Sequence, residues 1–232
     1  MESVNVLYVD DFVMPHEIPA QTPEEKINAY WNRYYKETPD NRVHTTPSNF
    51  CLDCVESIFP RRKSRIVDLG CGNGRDSVYL AQSGFCVTAI DQSAAALMLL
   101  TQHARNSNVT VETHQGDFSR FYTPLPTNIY SRFSLHAIDN NAQETLFRNA
   151  RQMVYNGHLF AIEARTTLDF DASATTHREH WEGNHYRRYL HVPTLLGELK
   201  ASGFDIYAIR QGINFAPLPG VEYPHVVRII AR

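Results

Sequence analysis

The chain has 232 residues, 43% of them hydrophobic and 20% charged, with a net charge of −3. That length suits one α/β domain with additions, and the apolar share excludes global disorder. The slight negative charge argues against a general nucleic-acid or membrane-surface binder, and no run approaches the roughly 20 apolar residues of a membrane span.

Residues 1–22 alternate apolar and polar positions and then carry Pro15, Pro19 and Thr22-Pro23. They read as an N-terminal arm with no basic leader segment, so the expected compartment is the cytoplasm. Thr22, Pro23 and Glu25 supply a helix start: a cap, a proline at the first helical position and a glutamate three residues on. Ile27, Tyr30, Trp31, Tyr34 and Tyr35 then share one helical stripe. The stripe is either plain core or a cap over a ligand. For the second reading Tyr30, Arg33 and Tyr34 are the candidates, because aromatic faces suit a cation. Thr46-Pro47 opens a second expected helix to Phe59, followed by a solvated basic loop, Arg61-Arg62-Lys63. Cys51 and Cys54 form a lone C-x-x-C and read as thiols without zinc or disulfide partners. The division expected is an arm with capping helices over 1–63 and a main domain over 64–232.

The segment Ile66-Val67-Asp68-Leu69-Gly70-Cys71-Gly72-Asn73-Gly74-Arg75-Asp76 has the layout of a strand, a tight turn and a helix start. Glycine permits positive φ and close approach of a ligand to the backbone. Arg75 stands where a dinucleotide loop places its third glycine, and no Gly-Lys pair forms a phosphate loop. Gly84 ends the helix that follows. The next strand, Phe85 to Ile90, ends in Asp91, 23 residues after Asp68 and beside Gln92. A carboxylate there is placed to accept from ribose hydroxyls, in NAD as in other nucleosides. A helix over 94–105 precedes a strand over 109–113 and Gly116-Asp117-Phe118.

The fourth strand is expected over 128–133, running on through His136 to Ile138. Arg132 inside a buried strand needs an anionic partner, either a core carboxylate or a ligand. His136 falls past the strand's carboxyl end, where open α/β sheets bind ligands, and reads equally as a structural histidine or a base. A helix over 143–155 and a strand over 158–163 lead to Arg165. Residues 166–191 form a polar, histidine-rich insertion. Three readings compete for it: a solvated lid, an anion-binding lid using Arg165, Arg187 and Arg188, or a metal site from His177, His180 and His185. The histidine spacing matches no zinc pattern, so no metal ligand is assigned. A helix over 192–202 and two β-rich runs, 204–212 and 224–232, follow, the runs separated by Pro217, Pro219 and Gly220.

The Asp-x-Gly-x-Gly-x-Gly motif, with Asp91 and Asp117 downstream, resembles the class I S-adenosylmethionine-dependent methyltransferases over roughly residues 64–165. The resemblance implies a Rossmann-like α/β fold: a seven-stranded, mostly parallel sheet, helices on both faces and an antiparallel C-terminal strand. It implies S-adenosyl-L-methionine as cofactor, with Asp68, Gly70 and Gly72 at its methionine part and Asp91 and Gln92 at the ribose. Asp117 and Phe118 would meet the adenine, Tyr30 and Arg33 would lie on the entry helix over the sulfonium, and Phe133 would also contact the cofactor. The N/D-P-P-Y/F tetrapeptide of amino- and base-methylating enzymes is replaced by Tyr130-Ser131-Arg132-Phe133. A narrower likeness, carried by 130–136, 163–165, 184–189 and 224–228, is to the methyltransferase part of bacterial polymannose O-antigen chain terminators. Those enzymes methylate a sugar or its phosphate.

The function expected is therefore O-methylation of a small anionic acceptor by in-line transfer. Arg132 and His136 are the catalytic candidates, and Tyr34, Arg165, Arg187 and Arg188 the acceptor-binding ones. An NAD-linked oxidoreductase and a non-catalytic cofactor-binding module are the rivals. The expected partner is a small molecule, with no membrane or nucleic acid, and a homo-oligomer is left open.

Overall fold

The computed structural model describes residues 22–37, 45–59, 64–216 and 223–232. The expected arm before Thr22, the basic loop at 61–63 and the separator at 217–220 lie outside these residues. In chain order the strands are β1 (Arg65–Leu69), β2 (Cys86–Asp91), β3 (Glu112–Gln115), β4 (Asn128–Arg132), β5 (Phe160–Arg165), β6 (Arg178–Glu182), β7 (His185–Tyr189), β8 (Ile206–Gly212) and β9 (Val226–Ala231). Seven of them form one sheet of order β3-β2-β1-β4-β5-β9-β8, while β6 and β7 make a separate hairpin. β1 to β5 are parallel, and β9 runs antiparallel to both β5 and β8. The expected architecture holds.

The helices are α1 (Pro23–Glu37), α2 (Asn49–Asp53), α3 (Arg75–Gln82), α4 (Ala94–Asn106), α5 (Asn140–Met153) and α6 (Val192–Ala201). Strand alternation divides the core between two faces. Val67, Leu69, Ile129, Phe160 and Ile162 pack under α5 and α6. Ile66, Tyr130, Ala161 and Ile230 face Phe50, Cys51, Cys54 and Leu80 on the other side. The two cysteines are fully buried there, and burial pushes both thiols well above their ordinary pKa. Among the described residues, no helix is long and apolar enough to cross a membrane.

Several boundaries differ from the sequence expectation. The expected helix over 46–59 starts at Ser48, whose hydroxyl accepts from Cys51 N–H, and widens to a π-turn over Cys54–Ile58. β3 begins three residues late because Val109 N–H donates to Ala104 C=O and finishes the turn after α4. β4 stops at Arg132 because Phe133 takes φ +57°. The insertion is not simply a lid of loop. A 3₁₀ turn over Thr167–Asp169 leads to the β6–β7 hairpin, whose two-residue loop puts Gly183 at φ +59°.

One polar row crosses the sheet. Arg132, Glu163 and Arg228 are register partners on β4, β5 and β9. Glu163 is 1% exposed. Its Oε1 accepts from Arg132 Nε at 2.9 Å and its Oε2 from Arg228 Nε at 2.6 Å. Arg228 reaches on to Asp53 Oδ2 at 2.6 Å and to Phe215 C=O at 2.8 Å. Arg132 thus has the core carboxylate that its place in a buried strand demanded. Replacing Glu163 by Gln leaves Arg132 without its carboxylate and Arg228 with the carboxylate of Asp53 alone. We expect Glu163→Gln to lower unfolding stability by about 3–5 kcal/mol in urea titration, and a loss below that of an exposed ion pair would contradict this account.

Candidate active site

α1 starts as its sequence demands. Thr22 Oγ1 accepts from Glu25 N–H at 3.2 Å, and Thr22 N–H donates to Glu25 Oε2 at 2.8 Å. No residue of α1 is fully buried, so its aromatic stripe is not ordinary core. Trp31, Tyr34 and Tyr35 instead roof a cleft of about 330 Å³ over the carboxyl ends of β1, β2, β4 and β5. Asn32 Oδ1 accepts from Ala95 N–H at 3.2 Å and fixes the helix against the start of α4.

The floor is the glycine loop. Gly70 and Gly72 have φ +69° and +55°, and a Cβ on Gly70 would lie 2.7 Å from Ser134 Cβ. A Cβ on Gly72 would collide with the Tyr35 hydroxyl. Gly72 N–H donates to Asp91 Oδ2 and Ser93 N–H to Asp91 Oδ1, both at 2.9 Å. Each carboxylate oxygen keeps a lone pair for a further donor. Burial raises the Asp91 pKa, and these two hydrogen bonds oppose the rise. Asp68, 3% exposed, accepts from Ser77 Oγ at 2.5 Å. Burial pushes its pKa up to about 7 against that hydrogen bond, and the neighbouring Asp76 and Asp91 add to the rise. Asp76 itself accepts from Ser48 N–H (2.7 Å), Ser48 Oγ (2.9 Å) and Tyr130 OH (2.8 Å), joining α2 to the cleft wall.

The opposite wall is cationic. Arg132, Arg165 and Arg187 line it together with His136. Arg132 is paired with Glu163 and lies 4.3 Å over the Phe133 ring. Arg165 Nε is 2.8 Å from Asp169 Oδ2. Arg187 Nε and His136 Nδ1 are buried and have no hydrogen-bond partner among the described residues. Burial holds the His136 pKa well below the ordinary imidazole range, and Arg187, Arg165, His185 and Arg132 depress it further. His136 is therefore a neutral imidazole at physiological pH. The hairpin closes this side against α1: Tyr30 stacks on His185 with centroids 4.3 Å apart, and Trp31 meets the same ring edge-on at 5.5 Å.

Of the expected site residues, Tyr34, Asp68, Gly70, Gly72, Asp91, Gln92, Phe118, Arg132, Phe133, His136, Arg165 and Arg187 line the cleft. Four do not. Tyr30 gives its ring face to His185. Arg33 is off the stripe and exposed. Asp117 caps a 3₁₀ turn through Ser119 N–H at 2.8 Å and pairs with Arg120 at 3.1 Å. Arg188 follows Arg187 on a strand, so it points to the other face and is buried. The three candidate metal histidines go separate ways: His177 bonds Glu198, His185 stacks on Tyr30 and His180 lies against Phe170. Residues that sequence reasoning missed include Tyr35, Arg75, Asp76, Tyr130 and Ser134. Tyr35 stood on the aromatic stripe and Arg75 at the third-glycine place, so two of them carried a readable signal.

Residues 66–157 match the family described as "Methyltransferase domain". The chain is 26% identical over 211 residues to the ubiquinone biosynthesis O-methyltransferase of Azorhizobium caulinodans, covering 82% of this chain and 81% of that protein. It is 38% identical over 88 residues to the enzyme of the same name from Ralstonia nicotianae, 38% of this chain and 37% of the relative. In fold it is similar to the 1,6-didemethyltoxoflavin-N1-methyltransferase of Burkholderia thailandensis, with a TM-score of 0.67, 18% identity and 97% of each chain covered. The glycopeptide N-methyltransferase MtfA superposes with a TM-score of 0.64 and 17% identity over 84% of this chain and 99% of that one. The matched segment contains the glycine floor, Asp91 and His136, and Arg165 and Arg187 lie beyond it.

Asp68 makes the stability of this domain pH-dependent. Its folded pKa of about 7 lies above the ordinary 3.8, so the folded state retains a proton that the unfolded chain releases. That contribution is full below pH 4 and is lost as pH rises to 7 and beyond. Urea midpoints at pH 5 and pH 8 should therefore show wild type losing stability relative to Asp68→Asn at the higher pH. A difference independent of pH would refute the buried-acid reading.

Proposed function

We propose that this protein is an S-adenosylmethionine-dependent methyltransferase whose acceptor is a small anionic molecule methylated on oxygen. S-adenosylmethionine is the cofactor and supplies an electrophilic methyl on a sulfonium. The glycine cradle fits it: Gly70 and Gly72 line the cleft at positive φ without side chains, and Asp91 retains acceptor capacity toward ribose hydroxyls. Asp68 and Asp76 line the same acidic side, which favours a donor carrying positive charge.

The observation that carries the acceptor reading is Arg187. Its buried Nε has no hydrogen-bond partner among the described residues, and it lines the wall that also holds Arg132 and Arg165. A guanidinium so placed can fork onto a phosphate, phosphonate or carboxylate. Transfer to an anionic oxygen needs no base, and positioning with water exclusion then supplies the rate. For a hydroxyl acceptor the neutral His136 takes the proton. The curated relatives named for O-methylation support oxygen as the methylated atom. In-line displacement is the geometry an opposed acidic floor and basic wall would serve.

The test is transfer of labelled methyl into a panel of sugar phosphates, phosphonates and carboxylic acids. Arg187→Ala should raise the acceptor KM by roughly 10–100-fold and leave donor affinity unchanged. Turnover confined to neutral amines or thiols would reject the anionic acceptor. Calorimetric binding of NADH in place of the sulfonium donor would reject the methyltransferase.

A further inference from the structure

Arg188, which the sequence suggested as an acceptor ligand, has a different place. It is completely buried, on the face of β7 turned away from the cleft. Its Nη1 donates to Asn140 Oδ1 and its Nη2 to Gln143 Oε1, both on the first turns of α5. Nε has no hydrogen-bond partner among the described residues. The fork thus ends on two neutral amides rather than on a carboxylate. Burying a guanidinium this way is costly, and burial lowers its pKa. A methionine or leucine would fill the space more cheaply, so the gain has to be geometric.

The network behind it ties down the whole insertion. Gln143 Nε2 donates to Glu198 Oε2 at 2.7 Å on α6. The same oxygen bonds His177 Nε2 at 3.0 Å, and His177 Nδ1 accepts from His191 N–H at 2.9 Å. His177 and His191 bracket the β6–β7 hairpin. Asn140, in turn, begins the helix that follows the 3₁₀ turn Leu135–Ala137, only four residues after His136. One guanidinium therefore joins the strand bearing Arg187 to the segment bearing His136.

We propose that Arg188 is a positioning residue: without touching the acceptor, it sets the separation of Arg187 and His136 along the basic wall of the cleft. The inference rests on the acceptor-site reading above, and the side-chain lock itself is testable without turnover. Lysine keeps the charge but cannot fork onto two amides.

With the sugar phosphate, phosphonate or carboxylic acid that wild type methylates best, Arg188→Lys should raise acceptor KM roughly tenfold or more while donor affinity stays within about twofold. In an Arg187→Ala background the same substitution should have almost no further effect on KM, because Arg188 acts through Arg187. Asn140→Ala, which leaves the arginine in place and removes one amide, should act in the same direction more weakly and serves if the lysine variant does not fold. Amide hydrogen exchange without ligands should quicken at 185–189 and 134–138 and stay unchanged at 66–69. Additive KM effects in the double variant, or donor affinity falling in step with the acceptor's, would overturn the proposal. Unchanged exchange in both segments would do so as well. Should wild type methylate nothing in the panel, the functional reading falls while the exchange experiment still decides whether the lock exists.

Discussion

The cationic wall of the cleft depends on one carboxylate that water does not reach. Glu163 holds Arg132 from one strand and Arg228 from another, and so brings the parallel core and the terminal antiparallel strand into a common register. Removing charge from such a row leaves Arg132 uncompensated, so the row works as a unit. Its outer end is anchored on Asp53, beside α2. Its inner end presents Arg132 at the cleft. A structural ion pair and a ligand-facing cation are thus the same side chain. That resolves the choice the sequence left open for Arg132: it is paired in the core and also lines the site.

The cleft is polarised by the way the chain is wound. Asp68, Asp76 and Asp91 come from β1, α3 and β2, on the side where the glycine loop turns. Arg165 and Arg187 come from the end of β5 and from the hairpin on the far side. His136 sits on the basic wall, where burial first and then the guanidiniums around it hold its pKa down.

Much of this was legible in the chain. The capping box at Thr22 and Glu25, the glycine spacing after Asp68 and the acidic end of β2 are local signals, and local signals survive without tertiary context. Strand ends were read less well. β4 was expected to continue past Phe133, and only the backbone shows the reversal of φ there. The direction of Arg187 and Arg188 needed the hairpin's phase, since a shift of one residue exchanges their faces. Gly183-Asn184 between alternating residues was a hairpin signal within reach of sequence reasoning. The pairing of Glu163 with Arg228 was not, because 65 residues and the return of β9 beside β5 separate them. Ser48, Asp76 and Tyr130 meet for the same topological reason.

Phe133 ties these themes together. A bulky residue in the left-handed region carries strain of about 1–3 kcal/mol, which a glycine would relieve. The chain keeps a phenylalanine instead, with its ring beneath Arg132 and 5.4 Å from that of His136. The ring is a spacer that no backbone atom can replace. Glycine here would ease the backbone and remove the ring that Arg132 covers and His136 approaches, so backbone ease and side-chain contact pull this single position in opposite directions.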